Sequence, residues 1–304
     1  MQEPVAPPMG PRLVIVSIDG LRPDALAPGG ASTLLGLAGR GTYTWAARTV
    51  NPSTTVPSHV SMLTGYPPSF HRITWDDWKP EKGYPAVPTI LQLARAAGLR
   101  TSLVVGKDKL KILALPGSTQ FFLASGTEAV ANQAVAEIAS GVDVLVVHFP
   151  EVDLTGHATG WMSPAYLTAV GETDRALGRI VDALGDSTTL IVTGDHGGTG
   201  RDHGAGATMD MLIPWVAVGP TVPRGRGITR GIKTVDTAAT AARFLGLSLA
   251  PDAEGRVITE AIGTGTPPAF GIVGGGSGTW RTPVAGGLFL RPEHGSALKQ
   301  VDAH

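Results

Sequence analysis

The sequence predicts an α/β fold, with a central, mostly parallel sheet sandwiched between helices. Short β-branched runs recur along the chain and are apolar throughout, as in strands buried on both faces. Segments with helical spacing separate them, giving the alternation of βαβ units. Several runs stop at Asp, His, Gly or Pro, the marks of strand-to-loop transitions.

Leu13–Ile18 (LVIVSI) is the first strand, ended by Asp19-Gly20. Residues 31–39 (ASTLLGLAG) read as a short helix closed by glycine. Pro57–Leu63 reads as another, with Pro57 in the first turn, where a missing N–H costs nothing. Val87–Ala97 has apolar residues at helical spacing and stops at Gly98; Thr101–Val105 is then a strand. Glu128–Ser140 is helical, Val142–Phe149 a fully buried strand, and Ala165–Leu184 a long amphipathic helix. Thr189–Thr193 and Ile213–Val218 are strands, and Val235–Leu245 is a final helix. One domain is expected over 12–262. From Gly263 to His304 the chain reads as a Gly/Pro-rich extension packing on that domain, with Gly287–Leu290 returning as an edge strand. The GGGSG run has no following helix and reads as a flexible loop rather than a nucleotide-binding turn.

Composition narrows the function. The 304 residues are enough to bury a substantial core. A formal charge of −1 opposes general binding of duplex nucleic acid, which calls for a basic surplus. With no cysteine, thiolate metal sites, disulfides and a Cys nucleophile are excluded, so any metal must rest on Asp, Glu and His. No apolar run reaches the ~20 residues that span a bilayer. The lead MQEPVAPPMGPR lacks the basic start and apolar stretch of a signal peptide. Its Pro-rich character suits a mature end left after signal removal, so a periplasmic or secreted location is expected, with a cytoplasmic one left open.

Seven potential metal ligands stand at points where apolar strands run out: Asp19, Thr55, Asp153, His157, Asp195, His196 and His203. In an open parallel sheet the carboxyl ends of the strands share one edge, and ligands bind there. Asp195 and His196 are adjacent and flanked by glycines that free the backbone to turn. Asp153 and His157 lie four residues apart, about one helical turn. Asp19 alone would read as a cap or turn former. Thr55, at the expected start of a helix, is the candidate nucleophile, because the helix dipole and free amides favour an anion there. Ser53, Thr54 and Thr55 also suit ordinary capping. His59 and His148 are expected to be packed or hydrogen-bonded rather than ligating.

The segments SIDGLRPD (17–24), TVPSHVSMLTGYPPSFHRI (55–73), FPEVDLTGHATG (149–160), DHGG (195–198) and HGAGATMDMLIPWVAVGP (203–220) resemble the alkaline phosphatase superfamily. Within it, they resemble the type I phosphodiesterase/nucleotide pyrophosphatase branch, over roughly 12–225 and in the family's order. The resemblance implies an alkaline phosphatase-like sheet with a minimal cap and two zinc ions, for which manganese or another divalent ion can substitute. It gives one zinc to Asp19, Thr55, Asp195 and His196, and the other to Asp153, His157 and His203. It makes Thr55 the nucleophile of an in-line phosphoryl transfer through a phosphothreonine, acting on a small-molecule phosphoester. The oligomeric state is unreadable.

Two departures qualify that picture. Asp76 stands where phosphodiesterase relatives place an asparagine, and a carboxylate repels a phosphate unless it is protonated or turned away. Lys107 and Lys109 resemble the lysine pair with which phosphonoacetate hydrolase holds its substrate; a solvated charged loop is the other reading. A phosphonate hydrolase and a phosphomonoesterase are therefore alternatives, and a catalytically silent metal-binding protein of the same fold is the non-enzyme one. The sulfatase motif C/S-x-P-x-R is missing, and phosphoglycerate mutases are longer, with an inserted domain. Trp75, Trp78 and Tyr84 suit either packing or stacking on an aromatic leaving group.

Overall fold

The computed structural model describes residues 11–263. The expected edge strand at Gly287–Leu290 and the packing of the extension beyond 263 lie outside the described residues. In chain order the elements are β1 (Leu13–Ile18), α1 (Ser32–Arg40), β2 (Thr42–Arg48), α2 (Thr55–Thr64), α3 (Pro68–His71), α4 (Ile90–Ala96), β3 (Thr101–Val105) and β4 (Gln120–Leu123). Then follow α5 (Thr127–Ala139), β5 (Val144–Phe149), α6 (Glu151–Thr159), α7 (Pro164–Ala183), β6 (Thr189–Gly194), α8 (Thr208–Met211), β7 (Leu212–Val218), β8 (Arg226–Gly227) and α9 (Asp236–Phe244). Short 3-10 turns complete the connections.

One eight-stranded sheet runs β4-β3-β5-β1-β6-β7-β2-β8. All pairings are parallel except those of β7, which runs against both β6 and β2. The strands expected from their apolar runs are present, and β1, β3, β5 and β6 are buried along their whole length. Period-2 alternation divides their side chains between two cores. Leu13, Ile15, Val144, Val146 and Ile191 face one layer; Val14, Val16, Leu145, Val147, Leu190 and Val192 face the other. Burying each such side chain contributes about 1.5–3 kcal/mol relative to exposure. Helices α2, α4 and α9 cover the first face and α1, α5 and α7 the second.

Three strands that motif reading left out are present. β4 is a half-exposed edge, and β8 is two residues long. β2 (TYTWAAR) mixes buried and exposed positions and carries a register shift between Thr44 and Ala47, so its period is broken. It nevertheless decides how the site is reached.

Register explains the convergence. Ile18 at the end of β1 pairs with Phe149 at the end of β5 and with Gly194 at the end of β6, so three neighbouring strands finish level. Asp19, α6 and the Asp195-His196 turn follow directly from those ends. β7 starts at this same edge and runs back, as an antiparallel neighbour joined without a crossover must. Arg48 at the end of β2 pairs with Leu212 at the start of β7. The chain thus returns to the carboxyl edge just before α2 and Thr55.

Candidate metal centre

The Asp19 turn needs glycine after it. Gly20 has φ of +69°, and a Cβ there would stand 3.0 Å from the Cα of Asp153. Tyr166 Oη on α7 and Trp161 Nε1 in the loop before it both donate to the Gly20 carbonyl, at 2.8 and 2.9 Å, and brace the turn. Asp153 lies in the first turn of α6, where the helix dipole favours its charge, and His157 follows one turn later. Thr55 is the first residue of α2, preceded by an extended Thr54.

All seven predicted ligands come together. His196 Nε2 lies 3.2 Å from Asp19 Oδ1, 3.5 Å from Asp195 Oδ2 and 4.0 Å from Asp153 Oδ1. His157 Nε2 and His203 Nε2 are each 3.4 Å from Asp153 Oδ1 and 3.0 Å from one another. Thr55 Oγ1 is 3.5 Å from Asp19 Oδ2. Two clusters have ligand atoms close enough to share an ion: Asp19, Asp195 and His196, and Asp153, His196 and His203. The grouping of Asp19, Asp195 and His196 matches the expected one. His196 additionally sits between the two sets, and His157 lies at the rim with its side chain 41% exposed.

The donor set fits divalent ions on two observations. Asp19 Oδ1, Asp153 Oδ1, Asp195 Oδ2 and His196 Nε2 are buried and make no hydrogen bond. Buried polar atoms without partners are rare, and four that converge call for a common partner. Each imidazole is also oriented from behind: Nδ1 of His157, His196 and His203 lies 2.8–2.9 Å from the carbonyls of Arg201, Gly197 and Ser53. A carbonyl only accepts, so each Nδ1 bears a hydrogen and each Nε2 is turned into the cluster.

Electrostatics agree. Burial would raise Asp19, but the Lys107 ammonium and the hydrogen bond with His148 hold it well below the usual carboxylate range. Burial, then the charge of Asp19, pushes Asp195 up to about 7. Burial opposes charge on His196, yet Asp195 and Asp19 outweigh it and lift the ring to about 10. The carboxylates thus demand positive charge at their centre.

The remaining candidates have specific partners. Lys107 Nζ lies 2.7 Å from Asp19 Oδ2 and 2.5 Å from Asp153 Oδ2, so it ties the two sets together from outside. Lys109 Nζ is 2.7 Å from Asp76 Oδ2, while Asp76 Oδ1 accepts from the Val56 amide at 2.7 Å. The solvated-loop reading of the two lysines is corrected: their side chains are 13% and 19% exposed, because carboxylates more than thirty residues away draw them inward. Trp75 and Trp78 pack on the core below α2, and Trp78 leans on Tyr84 at 5.1 Å. His148 Nε2 reaches Asp19 Oδ2 at 2.8 Å, and His59 Nδ1 reaches the Thr55 carbonyl at 2.7 Å. Both support the site, as expected. Trp161 and Tyr166 went unread, since nothing in the sequence near them points toward Gly20.

Comparison with known proteins agrees with this geometry. The sequence profile of the type I phosphodiesterase/nucleotide pyrophosphatase family matches residues 13–94 and 105–212, which include all seven candidate ligands. The chain belongs to this family. Its fold is that of the alkaline phosphatase superfamily. Murine ectonucleotide pyrophosphatase/phosphodiesterase 5, solved as an inactive variant with AMP, superposes with a TM-score of 0.69 at 16% identity, covering 79% of this chain and 96% of that one. A 2-O GAG sulfatase superposes at 0.70 with 14% identity, over 85% of this chain and 75% of its own. Among curated proteins, the catalytic subunit of human GPI ethanolamine phosphate transferase 2 is 28% identical over 287 residues, 84% of this chain and 28% of the transferase. The 2,3-bisphosphoglycerate-independent phosphoglycerate mutase of Rhodopirellula baltica is 32% identical over 143 residues, 44% of this chain and 25% of the mutase. The chain thus spans about a quarter of the length of these two relatives. No described helix is long and apolar enough to cross a membrane.

Proposed function

We propose that the chain is a two-zinc phosphodiesterase that works through a phosphothreonine on Thr55. The observation that carries this reading is the position of Thr55. Its hydroxyl is fully buried at the first turn of α2 and lies 3.5 Å from Asp19, inside the cluster of unpartnered ligand atoms. Asp19, Asp195 and His196 would hold one ion and Asp153, His157 and His203 the other, with Thr55 joining the first. Bound zinc would supply the charge that lowers the hydroxyl pKa and neutralises the phosphoryl oxygens.

The chain's own groups do the rest. The α2 terminus orients the Thr55 oxygen and lends it the positive end of the helix dipole. Thr55 Oγ1 loses its proton and bonds to phosphorus, and the opposite P–O bond breaks to release an alcohol. Water then adds to the phosphothreonine, restoring the hydroxyl and freeing a phosphomonoester. His148 and Lys107 hold Asp19 Oδ2, leaving Oδ1 for the ion. With both lysine ammonium groups engaged by carboxylates, the diesterase reading is favoured over the phosphonate one. A periplasmic or secreted setting remains part of this proposal.

The test is zinc-reconstituted protein assayed on bis(p-nitrophenyl) phosphate and p-nitrophenyl phosphate, with kcat/KM compared. A clear diester preference, lost in Thr55→Ala while two zinc ions per chain are retained, is expected. Substantial diesterase activity in Thr55→Ala sinks the assignment.

A further inference from the structure

The loop at Asp76 reaches the amino end of the nucleophile helix. Thr54 gives α2 no side-chain cap; the amide of Val56, beside Thr55, is taken instead by Asp76 Oδ1 at 2.7 Å from twenty positions along the chain. The second oxygen of the same carboxylate takes Lys109 Nζ at 2.7 Å. A negative group therefore stands on the amide that follows Thr55 in the chain, and a positive one stands behind it. Unpartnered Asp19 Oδ1 and Asp195 Oδ2, and the fully buried, unpartnered Ser53 Oγ, lie on the segments around it.

We propose that Asp76 and Lys109 are a charge-compensated pair whose balance keeps the α2 terminus from tilting the site toward or away from a dianionic monoester relative to a monoanionic diester. This rests on Thr55 being the attacking group. Alone, the Asp76 carboxylate would repel any phosphoryl oxygen approaching Thr55; alone, the Lys109 ammonium would attract it. Together they leave the α2 terminus close to neutral. A change of one unit charge acts about twice as strongly on a dianion as on a monoanion, because the Coulomb energy scales with the product of charges. Removing one partner therefore alters the preference between esters as well as the affinity, which loss of a loop contact would not do.

The experiment compares wild-type zinc-loaded protein with Asp76→Asn, Lys109→Met and the double variant. It reads kcat/KM for methyl p-nitrophenyl phosphate and for p-nitrophenyl phosphate, and the Kd of inorganic phosphate by calorimetry. Asparagine keeps the oxygen that accepts from Val56 but removes the charge. Asp76→Asn is expected to shift the monoester-to-diester ratio upward about tenfold and to tighten phosphate by at least that factor. Lys109→Met should move both in the opposite direction, and the double variant should return near wild type. An unchanged ratio in Asp76→Asn overturns the proposal, as does a shift of the same sign in both single variants. If wild type hydrolyses neither ester, the Thr55 reading fails by itself, and phosphate affinity still decides whether the pair balances the charge.

Discussion

The two ends of the sheet treat their polar groups in opposite ways. At the amino edge they are satisfied. Asp143, before β5, takes the Arg12 guanidinium on one oxygen and the Arg100 amide on the other. Arg100 also donates to the carbonyls of Ser140 and Gly141 that end α5. Buried Glu137 accepts from Ser102 Oγ at 2.6 Å and from Gln133 at 3.1 Å. At the carboxyl edge, three carboxylates and His196 are left with converging atoms that bond to nothing. The amino edge even holds a cavity of ≈ 460 Å³, lined by Arg95, Arg100, Ser118, Gln120 and Glu137 among others. Size does not locate the active end; unmet bonding capacity does. One edge pairs its polar groups with one another, and the other leaves them converging without partners, as the proposed ion site requires.

Four outcomes would break or sharpen that contrast. The largest is at Thr55: alanine is expected to lower diesterase turnover by about a thousandfold or more, with zinc stoichiometry unchanged by elemental analysis. Next, Asp195→Asn should weaken zinc binding about a hundredfold or more in a calorimetric titration. Yet in chelated protein its urea midpoint should stay level or rise, since the oxygen that takes the Gly20 and His196 amides is kept. A large loss of stability would mean the carboxyl edge is structural too. Third, Ser102→Ala at the amino edge should cost about 2 kcal/mol in urea unfolding, because Glu137 loses a buried partner. Zinc affinity should not move.

The smallest effect concerns pH. Burial depresses His71 to about 4 from its ordinary 6.5. Its Nδ1 accepts from the Ile73 amide, so the ring is held neutral with Nε2 toward Ser61. Below pH 6.5 the unfolded chain binds a proton that the folded one refuses, so stability is full above 6.5 and falls as pH drops towards 4. In chelated protein, His71→Gln should flatten that fall in urea midpoints measured between pH 7 and 5. An equal slope in both proteins would place the titration elsewhere.

Much of this is legible in the sequence. Strands buried on both faces announce themselves as unbroken apolar runs, and the ligands follow them because a strand must stop where its chemistry begins. That is why Asp195 and His196 stand out as a pair and Asp19 only in their company, and why the four-residue spacing of Asp153 and His157 implied a shared face. β2 could not be read this way, since its shifted register and mixed exposure break the period that marks a strand.

Sequence by itself therefore determined the α/β class and offered the seven ligand candidates and the nucleophile candidate, because these depend on local periodicity and on residue chemistry. Tertiary structure alone decided which strands lie side by side, and so that His196 stands between both ligand sets. It also turned Lys107 onto Asp19 and Asp153, and set Asp76 between Val56 and Lys109. Those contacts join residues 20 to 88 positions apart. No local pattern encodes such pairings; they follow from the order of the strands and the level at which neighbouring strands end.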